Sequence, residues 1–227
     1  MKMGQEDFLI RNELKTPRAA AIAGMLFCVL LVTSQLLVWI SVPVNSPAAD
    51  VIIHSRAVSL ALNLLPFAGI AFLWFIAVVR TRLGALEDRF FATVFLGSGL
   101  LYIAMIFISG AMAGGLIRIL LNAPESLIQT GAYALGRADI YQTMNVYGSK
   151  MAGVFMFSTS TILLRTGIVR RWIAFAGYAL GVILLLSIGI VVWISLLFPM
   201  WVFLVSTAIL LEDPTRQTDG VFGKSKV

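Results

Sequence analysis

Residues 172–211 read WIAFAGYALGVILLLSIGIVVWISLLFPMWVFLVSTAILL, 40 positions without one charged side chain. A helix rises about 1.5 Å per residue and a bilayer's hydrocarbon core is about 30 Å thick, so about 20 apolar residues make one crossing. This stretch therefore holds two crossings, with the turn between them expected at Gly189–Trp193. Working outward, further apolar runs occupy Arg18–Ser41, Ala57–Val79, Phe90–Leu121 and, with a more polar start, Tyr141–Leu164. The sum is six transmembrane helices, an all-α polytopic membrane bundle.

Composition agrees. Of 227 residues 59% are hydrophobic and 12% charged, with a mean hydropathy of +0.95. A water-soluble domain carries about a quarter charged residues, so a soluble globular protein is excluded, and so is a disordered one. The formal charge of +6 is read as membrane topology, with no nucleic-acid partner expected. Cationic loops are poorly translocated. With both termini cytoplasmic, the inner segments collect 13 of the 17 Lys and Arg, in four groups: Lys2 to Arg18, Arg80 to Arg89, Arg165 to Arg171, and Arg216 to Lys226. An odd number of crossings would spoil that pattern. The expected organisation is a cytoplasmic tail at 1–17, either solvated or holding a short interfacial helix, a six-helix membrane domain at 18–211, and a cytoplasmic tail at 212–227. Thr16 before Pro17 has the chemistry of a helix start.

Arg18-Ala-Ala-Ala-Ile-Ala-Gly24 and Arg171-Trp-Ile-Ala-Phe-Ala-Gly177 share Arg, Ala, Ala and Gly at equal offsets, a short internal echo at the start of two helices. These same regions, Thr16–Phe27 and Leu164–Tyr178, cover about an eighth of the chain. In them it resembles uncharacterised bacterial six-helix integral membrane proteins. The resemblance implies the fold and a bacterial inner membrane, and it brings no activity or site residues with it.

Polar residues inside the apolar runs are the candidates for function, because such groups are costly in lipid. Lys150 lies 15 residues before Arg165, about 22 Å up a helix. Two readings stay open for it: the ammonium snorkels to the outer headgroups, or it faces a polar cavity in the outer half of the bilayer. The cavity would be shared with Asn63, Gln142, Asn145 and Ser149. Arg56, Arg118 and Arg137 would line an outer vestibule. Gln35 and the run Ser158–Thr161 are the other intramembrane polar features; the run is expected to bond to its own helix. Small residues let helices approach closely. The pairs Gly110/Gly114 and Gly177/Gly181 have the GxxxG spacing, which fits packing within the chain or a homo-oligomer interface.

No catalytic constellation emerges. Ser98 and the lone His54 fall at opposite ends of the bundle, far beyond contact. One cysteine and one histidine leave no thiol redox pair and no zinc-protease motif, and no metal or cofactor is expected. The functional expectation is a small channel or a solute-binding or transport protein. The alternative is a non-catalytic subunit or scaffold holding lipid or a partner protein.

Overall fold

The structure, a computed structural model, describes residues 3–41, 48–83, 89–122, 131–167, 169–187 and 192–211. Among these there is no strand. The helices are α1 (Met3–Ser41), a short α2 (Ala48–Ile53), α3 (Ser55–Leu83), α4 (Arg89–Asn122), α5 (Ala132–Gln142), α6 (Ser149–Thr166), α7 (Arg171–Leu186) and α8 (Leu197–Leu211). A π-helical turn at Thr143–Gly148 fuses α5 and α6 into one rod, and a 3-10 turn at Val192–Leu196 leads into α8. Four helical stretches are long and apolar enough to cross a membrane: Ala21–Ser41, Ser55–Arg80, Phe90–Asn122 and Trp193–Leu211. Arg171–Leu186 is apolar but shorter, and Lys150 and Arg165 make α6 more polar. The protein is thus an α-helical membrane bundle.

Local chemistry accounts for the boundaries. Gly167 takes the left-handed conformation (φ 65°) and returns its amide to the Leu163 carbonyl at 3.1 Å, ending α6. Pro199 sits in the first turn of α8, where an amide would lack an intrahelical partner anyway, so the helix tolerates it. Pro66 lies inside α3, which continues past it. Two expectations are revised. Helix α1 starts at Met3 rather than Thr16, since a proline removes one donor without ending a helix held by its neighbours. The run expected from Tyr141 begins earlier, because residues 132–140, outside the apolar runs, already form helix α5 of the α5–α6 rod. The Gly189–Trp193 turn falls mainly outside the described residues, but α7 does end at Leu186 and helix resumes at Val192. The C-terminal tail also lies outside them.

The long helices form a ring. Helix α3 packs on α1 and α4, the α5–α6 rod on α4, α7 on α6, and α8 on α1 and, less extensively, on α7. An aromatic cluster fills the middle of the ring, with one or two members from five helices: Phe27, Phe72 and Phe75, Phe95 and Tyr102, Phe155, and Phe198. Phe27 and Phe72 stack at 4.5 Å, Phe95 and Phe155 at 4.8 Å, and Tyr102 meets Phe198 edge-on at 4.6 Å. These spacings lie in the favourable range for aromatic pairs.

Glycines carry the closest helix contacts. A Cβ on Gly110 would lie 3.0 Å from a Leu65 methyl, and one on Gly114 4.0 Å from Leu62, so this pair seats α4 on α3. Gly177 lies under the Ser160 hydroxyl and the Trp201 indole, and Gly181 against Phe157 and the Gly153 carbonyl. All four are therefore used in contacts between helices of one chain. The echo glycines behave alike. Gly24 is pressed by the Ser206 hydroxyl and the Phe75 ring, as Gly177 is by Ser160 and Trp201.

Candidate functional site

A cavity of about 560 Å³ opens beside the aromatic cluster, at the end of the bundle holding Ser41, Ser55 and Asn122. Its walls come from α1, α3, α4, the α5–α6 rod and the turn before α8. Leu31, Leu65 and Ile106 mark its deep end, and each is one or two helical turns from Phe27, Phe72 or Tyr102. The aromatic cluster is the floor. The cavity is mostly apolar, with a few polar groups.

Three contacts set the heights of those groups. The Ser34 hydroxyl donates to the Ala61 carbonyl at 2.8 Å, which aligns α1 with α3. Leu62, the next residue, faces Gly114 of α4. A Cβ on Gly136 would meet Leu116, two residues on from Gly114 along α4, at 3.0 Å. Gln35 and Arg137, neighbours of Ser34 and Gly136, therefore stand at about the same height on opposite walls. They form a polar collar above the apolar deep end.

The collar residues are held unequally. Arg137 donates to the Tyr133 hydroxyl at 3.3 Å, and its guanidinium lies 5.7 Å from the centre of that ring. Both partners sit on α5, one helical turn apart. The Gln35 side-chain oxygen is buried and accepts no hydrogen bond. An unpaired buried acceptor costs about 1–3 kcal/mol, a cost shared by the buried Ser160 and Ser206 hydroxyls. Lower down, Asn145 donates to the Tyr141 carbonyl at 3.2 Å and the Ser109 hydroxyl lies 3.5 Å from the Ile140 carbonyl. Met144 and Asn145 enter the cavity from the π-helical turn, and such turns concentrate at functional positions. Trp39 lines the upper wall with Trp193 against it, ring centres 4.6 Å apart.

The residues singled out from the sequence divide. Gln142, Asn145 and Arg137 line the cavity. Asn63 is exposed on α3, and Arg56 and Arg118 are exposed near the helix ends; none of the three lines it. Ser149 is buried beside Tyr102 and Phe198 in the packed interior.

Lys150 is not among the residues that line the cavity. Its Nζ donates to the Leu185 carbonyl and, at 2.9 Å, to the Ser187 carbonyl. These groups end α7, where a helix leaves its last carbonyls without partners and carries partial negative charge. The lysine caps a neighbouring helix.

Ser158, Thr159 and Thr161 bond to carbonyls one turn back in α6, as expected of the run, and Thr161 also reaches the Tyr178 hydroxyl at 2.7 Å, whereas the buried Ser160 hydroxyl bonds to none.

Gln35, Ser34, Ser109 and Tyr133 were not among the site candidates, although each is a polar residue within or beside an apolar run. Comparison of the chain with protein-family models, with characterised proteins and with solved structures finds no match.

Proposed function

We propose that this is a six-crossing membrane protein with both termini cytoplasmic, which binds a small, largely apolar solute in the cavity below the Gln35–Arg137 collar. The distribution of Lys and Arg supports that topology, with the collar in the outer half of the bilayer. One observation carries the binding reading: a mostly apolar cavity of about 560 Å³ with Gln35, Arg137, Gln142 and Asn145 among its lining residues. Pockets of about 300–1,000 Å³ suit small molecules, and a few polar groups in an apolar wall orient them. The aromatic floor favours a binding or carrier protein over an open channel. Ion conduction along the axis would require Phe27, Phe72, Tyr102, Phe155 and Phe198 to part together.

The test uses the full-length protein in lipid nanodiscs and Ala113→Phe, which places a ring in the cavity wall. Native mass spectrometry of the wild type should find a co-purifying small molecule that the variant lacks, while helicity and size are unchanged. A wild type without bound solute, or a variant that keeps it, refutes the reading.

A further inference from the structure

We infer that two copies of this chain pair in the membrane through the outward side of α3, with their Asn63 amides bonded to each other. The inference needs only the membrane-spanning bundle and does not depend on the cavity. The span Ser55–Arg80 is centred between residues 67 and 68, so Asn63 lies four to five residues, about 7 Å, from its middle. A hydrocarbon core is about 30 Å thick, and this depth is well inside it. The Asn63 side chain is exposed, does not line the cavity, and makes no hydrogen bond among the described residues. Pro66, exposed one turn below, has no amide to give the Leu62 carbonyl, the acceptor that this position of a helix normally serves. Ser59, one turn above Asn63, adds an exposed hydroxyl. Leu60, Phe67, Ile70 and Trp74, each at least half exposed, continue the same stripe at helical spacing.

The medium makes this stripe incomplete. Water would satisfy a side-chain amide, whereas lipid offers it neither donor nor acceptor. Spanning helices gain no hydrophobic association from one another, and close packing and polar side chains hold them together. The pairs Gly110/Gly114 and Gly177/Gly181 are already seated against helices of the same chain, which leaves Asn63 as the polar group facing outward. Symmetry then selects the partner. Copies inserted with one topology carry equal residues at equal depth, so a two-fold axis along the membrane normal brings Asn63 opposite Asn63. An amide is self-complementary: each NH₂ donates to the other's oxygen, and two hydrogen bonds close the pair. An unlike protein needs a matching group at this depth; a second copy has one by construction. Arg56, on the same stripe two turns higher, stands near the helix end, where water and salt screen the two like charges.

The test counts subunits by single-molecule photobleaching of the purified full-length chain in liposomes, over a range of protein-to-lipid ratios. Wild type should pass from one copy to two as the ratio rises. Asn63→Leu should need an about three- to thirtyfold higher ratio, the shift that an interhelical hydrogen bond gives, and Asn63→Gln, which keeps an amide, should stay near wild type. Asn63→Leu should also melt no lower than wild type, because it exchanges a lipid-facing amide for an apolar side chain; the loss of pairing is then not a loss of fold. Phe67→Cys in a Cys28→Ala background leaves Asn63 in place and should cross-link between copies on oxidation, whereas Phe175→Cys on α7, a position as exposed as Phe67, should not. A chain that stays monomeric at every ratio, or one that pairs equally well as Asn63→Leu, overturns the inference. So does cross-linking of Phe175→Cys without cross-linking of Phe67→Cys.

Discussion

Lys150→Met removes the cation from the end of α7 while keeping the length of the side chain. Two carbonyls, those of Leu185 and Ser187, lose their donor at once. A hydrogen bond to a charged group contributes about 1.5–3 kcal/mol, and a cation at a helix C-terminus adds about 0.3–1 kcal/mol. Methionine returns part of this, because the ammonium no longer has to be held partly out of water. The net loss is about 2–3 kcal/mol. For a chain of this size each kcal/mol moves the melting temperature by about 2–4 °C, so the midpoint should fall by about 5–10 °C. Thermal unfolding in mild detergent, followed by tryptophan fluorescence, measures it. Lys150→Gln keeps a donor and should fall between the two. Binding in the cavity should persist in the folded variant, since Lys150 does not line it. A midpoint within 1–2 °C of wild type would refute the capping role and return the residue to snorkelling, where replacement by an apolar side chain is cheap.

Other substitutions read the packing and the collar. Gly177→Ala drives a methyl into Ser160 and Trp201 and should destabilise by about 1–3 kcal/mol, whereas Gly97→Ala meets nothing within 4 Å and should be neutral or slightly stabilising in thermal melts. Gln35→Leu removes the unpartnered amide; the unliganded protein should gain about 1 kcal/mol and lose affinity for its solute, and a variant less stable than wild type would show that the amide is already satisfied.

Much of the bundle was legible because lipid imposes one rule on every residue of a span: apolar, uncharged and long enough. The uncharged 172–211 stretch divided into α7 and a segment ending in α8, and the long run from Phe90 became α4. The candidate site was less legible, because its residues are brought together by registers between helices. From the sequence Arg137 belongs to an outer vestibule with Arg56 and Arg118; helix α5, which lies outside the apolar runs, packs on α4 and places it instead in the cavity lining. Gln35 is a single amide in an apolar run, and only the Ser34–Ala61 hydrogen bond reveals what stands opposite it. The acceptors of Lys150 exist because α7 stops at Leu186, an event inside an uninterrupted apolar stretch. The π-helical turn has no sequence signature at all, since Thr-Met-Asn-Val-Tyr-Gly fits an ordinary helix equally well.

The contact of Gly24 with Ser206 ties α1 to α8, two helices far apart in the sequence. Helix α1 leaves the ribosome well before α8, so the groove at Gly24 waits, open to lipid, until α8 has been made. Phe198, the final ring of the aromatic floor, arrives with the same helix. Before that moment the ring of helices lacks a wall and the cavity lacks part of its base. Insertion order thus makes α8 the closing stave of the barrel: a chain halted before residue 197 has its earlier spans in the bilayer but no closed chamber.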